Sequence, residues 1–281
     1  MDLEARFNAC KRSWHLQGGC RIGGGFRSDV FGCTTADGTE VVVKLMVTQE
    51  EARAEAAALA MWHYTGAAVG LIDADFEHGA LILERIRPAT HLPSGDDRVA
   101  IEVAADLLTR LHLARADTFP FRTLEEAYIH FEEQARCDAD YEQRVRGDSA
   151  RGEAGLQRLG AARVAAMRLC ATARRTVLLH GDFLDKNLVW NGAGYVTIDP
   201  VPSRGDPCAD IGFFAAGHPP ATAILQRADA IAQRMDLNRH RAQQWAAIWT
   251  VLQTSQVWRE DQAGLETCLS STEFEELLRG E

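Results

Sequence analysis

The sequence predicts an α+β fold of two lobes, a small β-rich lobe at the N-terminus and a larger, mainly helical lobe at the C-terminus. Two observations lead to this prediction. Residues 18–45 combine short β-branched and aromatic runs with glycine turns, which is typical of strands. From about residue 98 onward, apolar residues recur at the three- and four-residue spacing of helices. We place the boundary at residue 87, which gives an N-terminal lobe of 1–87 and a C-terminal lobe of 88–281.

In the small lobe, the clearest strand is the β-branched run at residues 40–45, which follows a turn at 36–38. Residues 49–63 are rich in alanine, glutamate and leucine, and they predict a helix. Residues 79–84 predict a further strand, and residues 83–86 then form the connector between the lobes.

In the large lobe, helix-spaced apolar residues follow a loop rich in proline, serine, glycine and aspartate at 93–97. The predicted helices cover residues 101–112, 124–135, 158–173 and 242–260. A cleft between two lobes is a usual place for a nucleotide.

Composition narrows the class of protein. No apolar run approaches the roughly 18 residues of a membrane span, and the first residues lack the apolar segment of a signal peptide. We therefore expect a cytoplasmic protein with no membrane partner. Seven cysteines without a CxxC pair suggest neither a zinc site nor a disulfide framework. A net charge of −10 argues against a nucleic-acid partner and favours a cationic small molecule.

The most informative stretch is residues 177–200, with the sequence VLLHGDFLDKNLVWNGAGYVTIDP. Phosphoryl transfer from a nucleotide needs an acceptor for the proton of the attacking hydroxyl, and hard oxygen ligands for Mg²⁺. Asp182 can serve as the first, and Asn187 and Asp199 as the second. Apolar runs around them predict a buried strand and a hairpin, so both candidate metal ligands lie at strand ends.

Lys44 ends the apolar strand of the small lobe, where an ammonium group needs a partner. In kinase chemistry that partner is a nucleotide phosphate, and a carboxylate on a helix orients the lysine. Glu55 is the first candidate for this carboxylate, and Glu51, one turn earlier, is the alternative. The competing interpretation is that Lys44 lies unpaired at the exposed end of its strand.

Three further candidates concern the nucleotide. The glycine run at 23–25 either brings the backbone near phosphates or forms a plain turn, and Ser28 adds a donor nearby. In the connector, Glu84 and Ile86 are the positions whose backbone groups would contact adenine. No GxxxxGK[ST] motif occurs, which excludes a P-loop fold.

The motif HGDFLDKN followed by IDP, with VVVK upstream, resembles the aminoglycoside phosphotransferase family, which shares the protein-kinase-like fold. The segment 205–212, GDPCADIG, is similar to the GDPAYDLA-type segment of that family, and VTIDPVPSRGDP most closely resembles its streptomycin and hydroxyurea kinase branch. The resemblance implies ATP or GTP, Mg²⁺ and transfer of the γ-phosphate to a small-molecule hydroxyl. By position, Asp182 resembles the catalytic aspartate, Asn187 and Asp199 the metal ligands, Lys44 the phosphate-binding lysine, and Asp210 the aspartate that braces the catalytic loop.

The acceptor site has no motif of fixed spacing in the sequence, so it is inferred from acidic clusters. Acidic residues crowd the predicted helix after residue 124 and the C-terminus, either as solvated faces or as a carboxylate-lined pocket. We take Glu132, Glu133 and the loop residue Asp185 as candidate acceptor ligands. Such a pocket suits an aminoglycoside like streptomycin or a cationic cyclic peptide of the capreomycin or viomycin type, whereas neutral hydroxyurea would not need acidic walls.

The functional prediction is an ATP-dependent O-phosphotransferase, a monomer or dimer, that inactivates a cationic antibiotic by phosphorylating a hydroxyl. One alternative is a metabolic kinase acting on an amino alcohol or sugar derivative. The other is a catalytically silent nucleotide-binding protein, against which the intact set of Lys44, Asp182, Asn187 and Asp199 weighs.

Overall fold

The computed structural model describes residues 2–25, 27–93, 96–115, 118–146, 149–254 and 262–280. Its small lobe is a five-stranded antiparallel sheet with the strand order β1-β2-β3-β5-β4. The elements in chain order are α1 (Leu3–Ser13), β1 (Gln17–Gly24), β2 (Ser28–Thr34), β3 (Glu40–Met46), α2 (Gln49–Trp62), β4 (Leu71–Asp75) and β5 (Ala80–Glu84). The strand predicted at 40–45 and the helix predicted at 49–63 are β3 and α2.

The alternation of side chains along β3 separates two helices onto opposite faces of the sheet. Val41, Val43 and Leu45 pack in one apolar cluster with Phe7 and Cys10 of α1. The intervening positions face α2, whose apolar residues belong to the main core. Lys44 therefore points to the same side as α2, away from α1.

The large lobe is mainly helical, with short strands that carry the loops. A first group of elements is β6 (Thr90–His91), α3 (Asp97–Leu111), α4 (Leu124–Arg146), α5 (Ser149–Ala171), β7 (Val177–Leu179), β8 (Leu188–Trp190) and β9 (Tyr195–Thr197). A second group is β10 (Ser203–Gly205), α6 (Cys208–Gly217), α7 (Ile224–Arg234), α8 (Arg239–Thr254), α9 (Gln262–Leu269) and α10 (Thr272–Arg279). Strand β7 pairs with β10, and β8 lies between β6 and β9.

The described part of α8 ends at Thr254, so the last residues of the helix predicted at 242–260 lie outside the described residues. The same holds for residues 260 and 261 of the acidic C-terminal cluster, for residues 94 and 95 of the predicted loop, and for the side chains at 138 and 140. Among the described helices, none is both long and apolar enough to cross a bilayer.

Close packing of α6 on α8 forms the centre of the large lobe. Gly212 makes this possible, because a Cβ atom there would lie 2.5 Å from the backbone of Trp245. Buried polar bonds also join α8 to α6 and to the residues just before it: Trp249 Nε1 donates to Ala209 O at 3.0 Å, and Trp245 Nε1 donates to Asp206 Oδ2 at 2.7 Å. The two tryptophans thus belong to the core that supports the segment 205–212.

The lobes are joined next to the predicted catalytic stretch. Val69 N donates to Thr197 O at 2.9 Å, and Thr197 N donates to Ala67 O at 2.8 Å. Trp62, at the end of α2, donates from Nε1 to Leu111 O at 3.1 Å. These contacts fix α2 of the small lobe against α3 and β9 of the large lobe.

The structure corrects the prediction that Glu132 lines an acceptor pocket. Glu132 lies on α4 with only 1% of its surface exposed. Its Oε1 accepts from Arg136 at 2.6 and 2.8 Å, and its Oε2 accepts from Arg163 of α5 at 3.1 Å. Both oxygens are therefore bound within the protein, and the carboxylate ties α4 to α5. Glu133, next to it, is exposed.

We expect Glu132→Gln to lower the free energy of unfolding by about 1–3 kcal/mol, because it weakens three charge-assisted hydrogen bonds in a buried site. Glu133→Gln is the matched control, and it should change stability by less than ~0.5 kcal/mol. Urea denaturation followed by circular dichroism measures both. Equal stability of the two variants would contradict the structural role of Glu132.

Candidate active site

The loop between β7 and β8 is hydrogen-bonded to α6 through the side chain of Asp210. Both carboxylate oxygens of Asp210 accept backbone bonds, from His180 N at 2.8 Å and from Gly181 N at 3.0 Å. Gly181 has φ +76°, and a Cβ atom there would overlap the carbonyl oxygen of Val201. Only glycine fits this position without strain. The backbone that leads into Asp182, the next residue, is therefore fixed in position.

Asn187 closes the same loop onto Asp182. Its Nδ2 donates to Asp182 O at 2.7 Å and to Asp182 Oδ2 at 2.9 Å. Asn187 is 2% exposed, and its carbonyl oxygen accepts from Ile198 N at 2.9 Å, which ties the loop to β9. Because these side-chain bonds use the amide nitrogen, Oδ1 of Asn187 is left as an oxygen ligand.

Asp199 follows β9 with φ +55°, in the left-handed region. A non-glycine residue there costs about 1–3 kcal/mol and persists only where its surroundings enforce it. Here Ile198 N is bound to Asn187 O at 2.9 Å, and Val201 N to His180 O at 2.8 Å. Burial raises the pKa of Asp199, but the charge and hydrogen bond of Lys44, with smaller contributions from His180 and Lys186, together lower it by more, so the pKa lies below its usual value. Asp199 is a carboxylate at neutral pH.

Lys44 connects the small lobe to this loop. Its Nζ donates to both oxygens of Glu55, at 2.7 and 2.6 Å, and lies 3.0 Å from Asp199 Oδ1. Burial lowers the pKa of Lys44, yet the carboxylates of Glu55 and Asp199 outweigh burial and raise it. The ammonium group is therefore charged. Glu51, the alternative partner, instead accepts from Arg27 at 2.5 Å.

Lys186 adds a positive charge to the site, and the sequence analysis did not predict its contact with Asp182. Its Nζ lies 3.3 Å from Asp182 Oδ2, and its charge also helps to lower the pKa of Asp199. The side chain is 60% exposed, so the ammonium contacts Asp182 from the solvent side. The only signal in the sequence was the four-residue spacing from Asp182.

Asp185, a candidate acceptor ligand, is turned towards the end of α6. Its Oδ2 lies 2.6 Å from Nδ1 of His218, which is fully buried and stacks on Phe214. The other oxygen, Oδ1, is buried and has no hydrogen-bond partner among the described residues. The hydrogen bond of Asp185 to His218 thus points into the protein, towards the end of α6.

His180 is a structural neighbour of the loop. Its Nε2 lies 3.1 Å from Ile198 O, and its Nδ1 accepts from Asp182 N at 3.4 Å. Burial lowers the pKa of His180, so the ring is neutral. The backbone of Asp182 is thereby held by a neutral imidazole.

The remaining nucleotide candidates are Ser28 in the small lobe and Glu84 and Ile86 at the end of β5 and just after it. Ser28 begins β2, where its carbonyl accepts from Gly25 N at 2.9 Å. Glu84 ends β5 with its backbone N bound to Gly70 O at 2.9 Å, and its side chain is exposed. Ile86 packs against the main core. Glu84 and Ile86 thus lie at the start of the segment that runs from β5 of the small lobe to β6 of the large lobe.

The arrangement can hold a divalent cation. Asp182, Asn187 and Asp199 offer carboxylate and amide oxygens on one connected hydrogen-bonded frame, and these are the hard ligands that Mg²⁺ prefers. Lys44 and Lys186 place two ammonium groups beside those carboxylates. Cationic groups next to oxygen ligands form a setting that suits a polyphosphate.

Two curated relatives resemble the chain along most of its length. A hydroxyurea phosphotransferase from Kitasatospora aureofaciens is 33% identical over 245 residues, which cover 81% of this chain and 66% of that protein. A streptomycin 6-kinase from Streptomyces griseus is 29% identical over 263 residues, which cover 86% of this chain and 79% of that one. The chain thus spans about two thirds of the first relative's length.

Solved structures share the fold. A choline/ethanolamine kinase family protein from Mesorhizobium loti matches with a TM-score of 0.64 at 16% identity, over 98% of this chain and 97% of that one. The kinase APH(2")-IIa, in a ternary complex with streptomycin and ATP, matches with a TM-score of 0.57 at 12% identity, over 99% and 98%. At these identities the likeness shows the fold alone, and it confirms the protein-kinase-like prediction.

Residues 13–263 match the family model described as aminoglycoside/hydroxyurea antibiotic resistance kinase. This match covers more than half of the chain, and it agrees with the resemblance found in the motifs at 180–187 and 198–212. The chain therefore belongs to the aminoglycoside/hydroxyurea antibiotic resistance kinase family.

Proposed function

We propose that the protein is an ATP-dependent O-phosphotransferase that inactivates a cationic antibiotic by phosphorylating a hydroxyl. The observation that carries the proposal is the connected set of Lys44, Asp182, Asn187 and Asp199, in a member of a family of resistance kinases. Two relatives are named for phosphorylation of streptomycin and of hydroxyurea. We place the enzyme in the cytoplasm, where ATP is abundant.

In this proposal, ATP lies between lobes 1–87 and 88–281. Backbone groups at Glu84 and Ile86 contact the adenine, and the turn before Ser28 covers the phosphates. Lys44, oriented by Glu55, contacts the phosphates. Because both oxygens of Glu55 already bind Nζ, the lysine is held in place before the nucleotide arrives. GTP is the alternative nucleotide.

Asn187 and Asp199 would hold Mg²⁺, which when bound neutralises charge on the phosphates. The low pKa of Asp199 keeps this ligand ionised without help from the metal. Asp182 accepts a hydrogen bond from the acceptor hydroxyl and takes its proton as the phosphoryl group transfers. Lys186, 3.3 Å from Asp182, adds positive charge close to the negative charge of the transferring phosphoryl group. Most of the rate then comes from positioning and charge neutralisation.

The acceptor is proposed to be an aminoglycoside such as streptomycin, or a cationic peptide of the capreomycin or viomycin type. The net charge of −10 supports a cationic acceptor. Glu133 and Asp185 stay in the proposal as acceptor contacts. Glu132 does not, because both of its oxygens are bound to arginines.

A panel of acceptors tests the proposed activity. Purified protein with Mg²⁺-ATP should consume ATP with streptomycin, other aminoglycosides or capreomycin-type peptides, and mass spectrometry should find one added phosphate. Hydroxyurea and choline-like amino alcohols complete the panel. Turnover only on a primary metabolite would replace the antibiotic kinase with the metabolic kinase, and no turnover with bound ATP would favour the silent nucleotide-binding protein.

Asp182→Asn should lower kcat by about 10²–10⁴-fold, because the variant cannot take the hydroxyl proton. Its affinity for ATP should stay within a few-fold of the parent. Asp106→Asn, on an exposed site of α3, is the matched control and should keep full activity. Steady-state kinetics and nucleotide titration calorimetry measure the two effects. Near-normal turnover in Asp182→Asn would remove that residue from the mechanism.

Asp199→Asn should weaken binding of Mg²⁺-ATP at least about tenfold, since it deletes a charged metal ligand. Asparagine tolerates the left-handed backbone at this position, so the loop should keep its shape. Calorimetric titrations with ATP, with and without Mg²⁺, separate the metal from the nucleotide. An unchanged gain in affinity on adding Mg²⁺ would show that Asp199 is not a metal ligand.

A further inference from the structure

A second group of metal-ligand side chains lies at the outer face of the small lobe, away from the candidate active site. Among the residues that the structure describes, the ligand atoms of Cys10, Asp75 and His78 all lie within 4.8 Å of one another. We propose that these three side chains bind a zinc ion, Zn²⁺, and call them the α1 cluster. The proposal does not depend on the proposed kinase activity.

The fold holds the α1 cluster in place without a metal. Arg6, one helical turn before Cys10, donates to Met46 O at 2.6 Å and to His78 O at 2.6 and 2.8 Å. These bonds pin the turn between β4 and β5 onto α1. Cys10, fully buried on the same side of the helix, is therefore presented to Asp75 and His78 by a rigid contact.

The carboxylate and the imidazole orient each other. Asp75 Oδ1 accepts from the backbone N of Glu77 at 3.1 Å and of His78 at 3.2 Å. Asp75 Oδ2 lies 2.7 Å from Nδ1 of His78. Nδ1 of His78 therefore faces the carboxylate, which leaves Nε2 as the ring nitrogen for a metal, and Oδ2 of Asp75 keeps a second lone pair with which to bind the same ion. The two side chains are 20% and 17% exposed, so an ion can enter from solvent.

The donor set selects the cation. A thiolate, an imidazole nitrogen and a carboxylate oxygen together are typical ligands of Zn²⁺, whereas Mg²⁺ and Ca²⁺ take oxygen ligands only. On binding, the Cys10 thiol loses its proton to solvent and its sulfur bonds to the metal. The charges of the thiolate and of Asp75 then balance the two positive charges of the ion, and water takes the fourth position.

Other roles for Cys10 fit less well. Burial, with a smaller effect of Asp75, raises the pKa of the Cys10 thiol to about 11, so without a metal the thiol keeps its proton and is a poor nucleophile, and a bound zinc ion has to displace that proton. Lys44 points to the face of the sheet opposite α1, so an ion in the α1 cluster would not touch the nucleotide. Its expected effect is to fasten α1 and the β4–β5 turn to the sheet.

Metal titration of the full chain, freed of any affinity tag and washed with chelator, tests the proposal. Millimolar Mg²⁺ is kept present so that oxygen sites of the candidate active site are occupied. Wild type should bind one equivalent of Zn²⁺, and Co²⁺ in its place should give thiolate-to-metal charge-transfer absorption. At a free Zn²⁺ concentration of 100 times Kd, we expect Tm to rise by about 5 °C.

Cys10→Ser and His78→Gln should each lower the Zn²⁺ affinity by at least about tenfold, and Cys10→Ser, which removes the sulfur, should also abolish the charge-transfer band. Cys33→Ser, at another buried thiol of the same lobe, is the matched control and should bind as wild type does. His78→Gln changes a partly exposed side chain, so it keeps the test valid if Cys10→Ser folds poorly. Absence of stoichiometric zinc in wild type, or equal binding by His78→Gln, would overturn the proposal.

Discussion

The buried ammonium of Lys44 is the constraint on which the arrangement of the two lobes depends. With 3% of its surface exposed, it needs compensating charge within the protein. Glu55 supplies one carboxylate from α2, and Asp199 supplies the other from the large lobe. The two ion pairs of Lys44 therefore set the position of α2 on the sheet and the distance between the sheet and the segment that follows β9. Removing either acid would leave positive charge poorly compensated in the cleft.

The loop between β7 and β8 has a fixed backbone because its backbone hydrogen bonds end on Asp210 in the core of the large lobe. Asp210 binds two successive backbone amides, and it is carried by α6, which packs on α8 through Gly212. The left-handed backbone of Asp199 is enforced by bonds on both sides. Strain at the site is thus offset by packing elsewhere, which is the usual relation between a rigid scaffold and a functional loop.

Sequence reasoning succeeded where the signal was local. Strand β3 is a run of β-branched residues, α2 is built from strong helix formers, and the motif at 180–187 has fixed spacing. It failed where partners come from distant segments. The bond from Glu132 to Arg136 has helical spacing and was legible, but the second partner, Arg163, lies on the next helix. Without that partner, a buried structural acid looks the same as a ligand for a cation.

The α1 cluster was hidden for the same reason. Short cysteine spacings reveal zinc sites only when the ligands are close in sequence. Here the thiol of Cys10 comes from α1, a helix that the sequence analysis did not predict. The other two ligands, Asp75 and His78, come from the end of β4 and the turn that follows it. Only the sheet order, with β5 and β4 next to β3 under α1, brings them together.

The charges around Asp182 restrict how a cationic acceptor can approach in the proposed reaction. Lys186 lies 3.3 Å from Asp182, and Lys44 lies beside Asp199, so the reaction point is flanked by two ammonium groups. These favour a phosphoryl group but repel guanidinium or ammonium groups of an acceptor. A cationic acceptor must then present a hydroxyl to Asp182 and keep its own charges some distance away. The acids that recognise those charges therefore belong to the outer rim of the cleft, where the excess negative charge of the chain can act over a longer range.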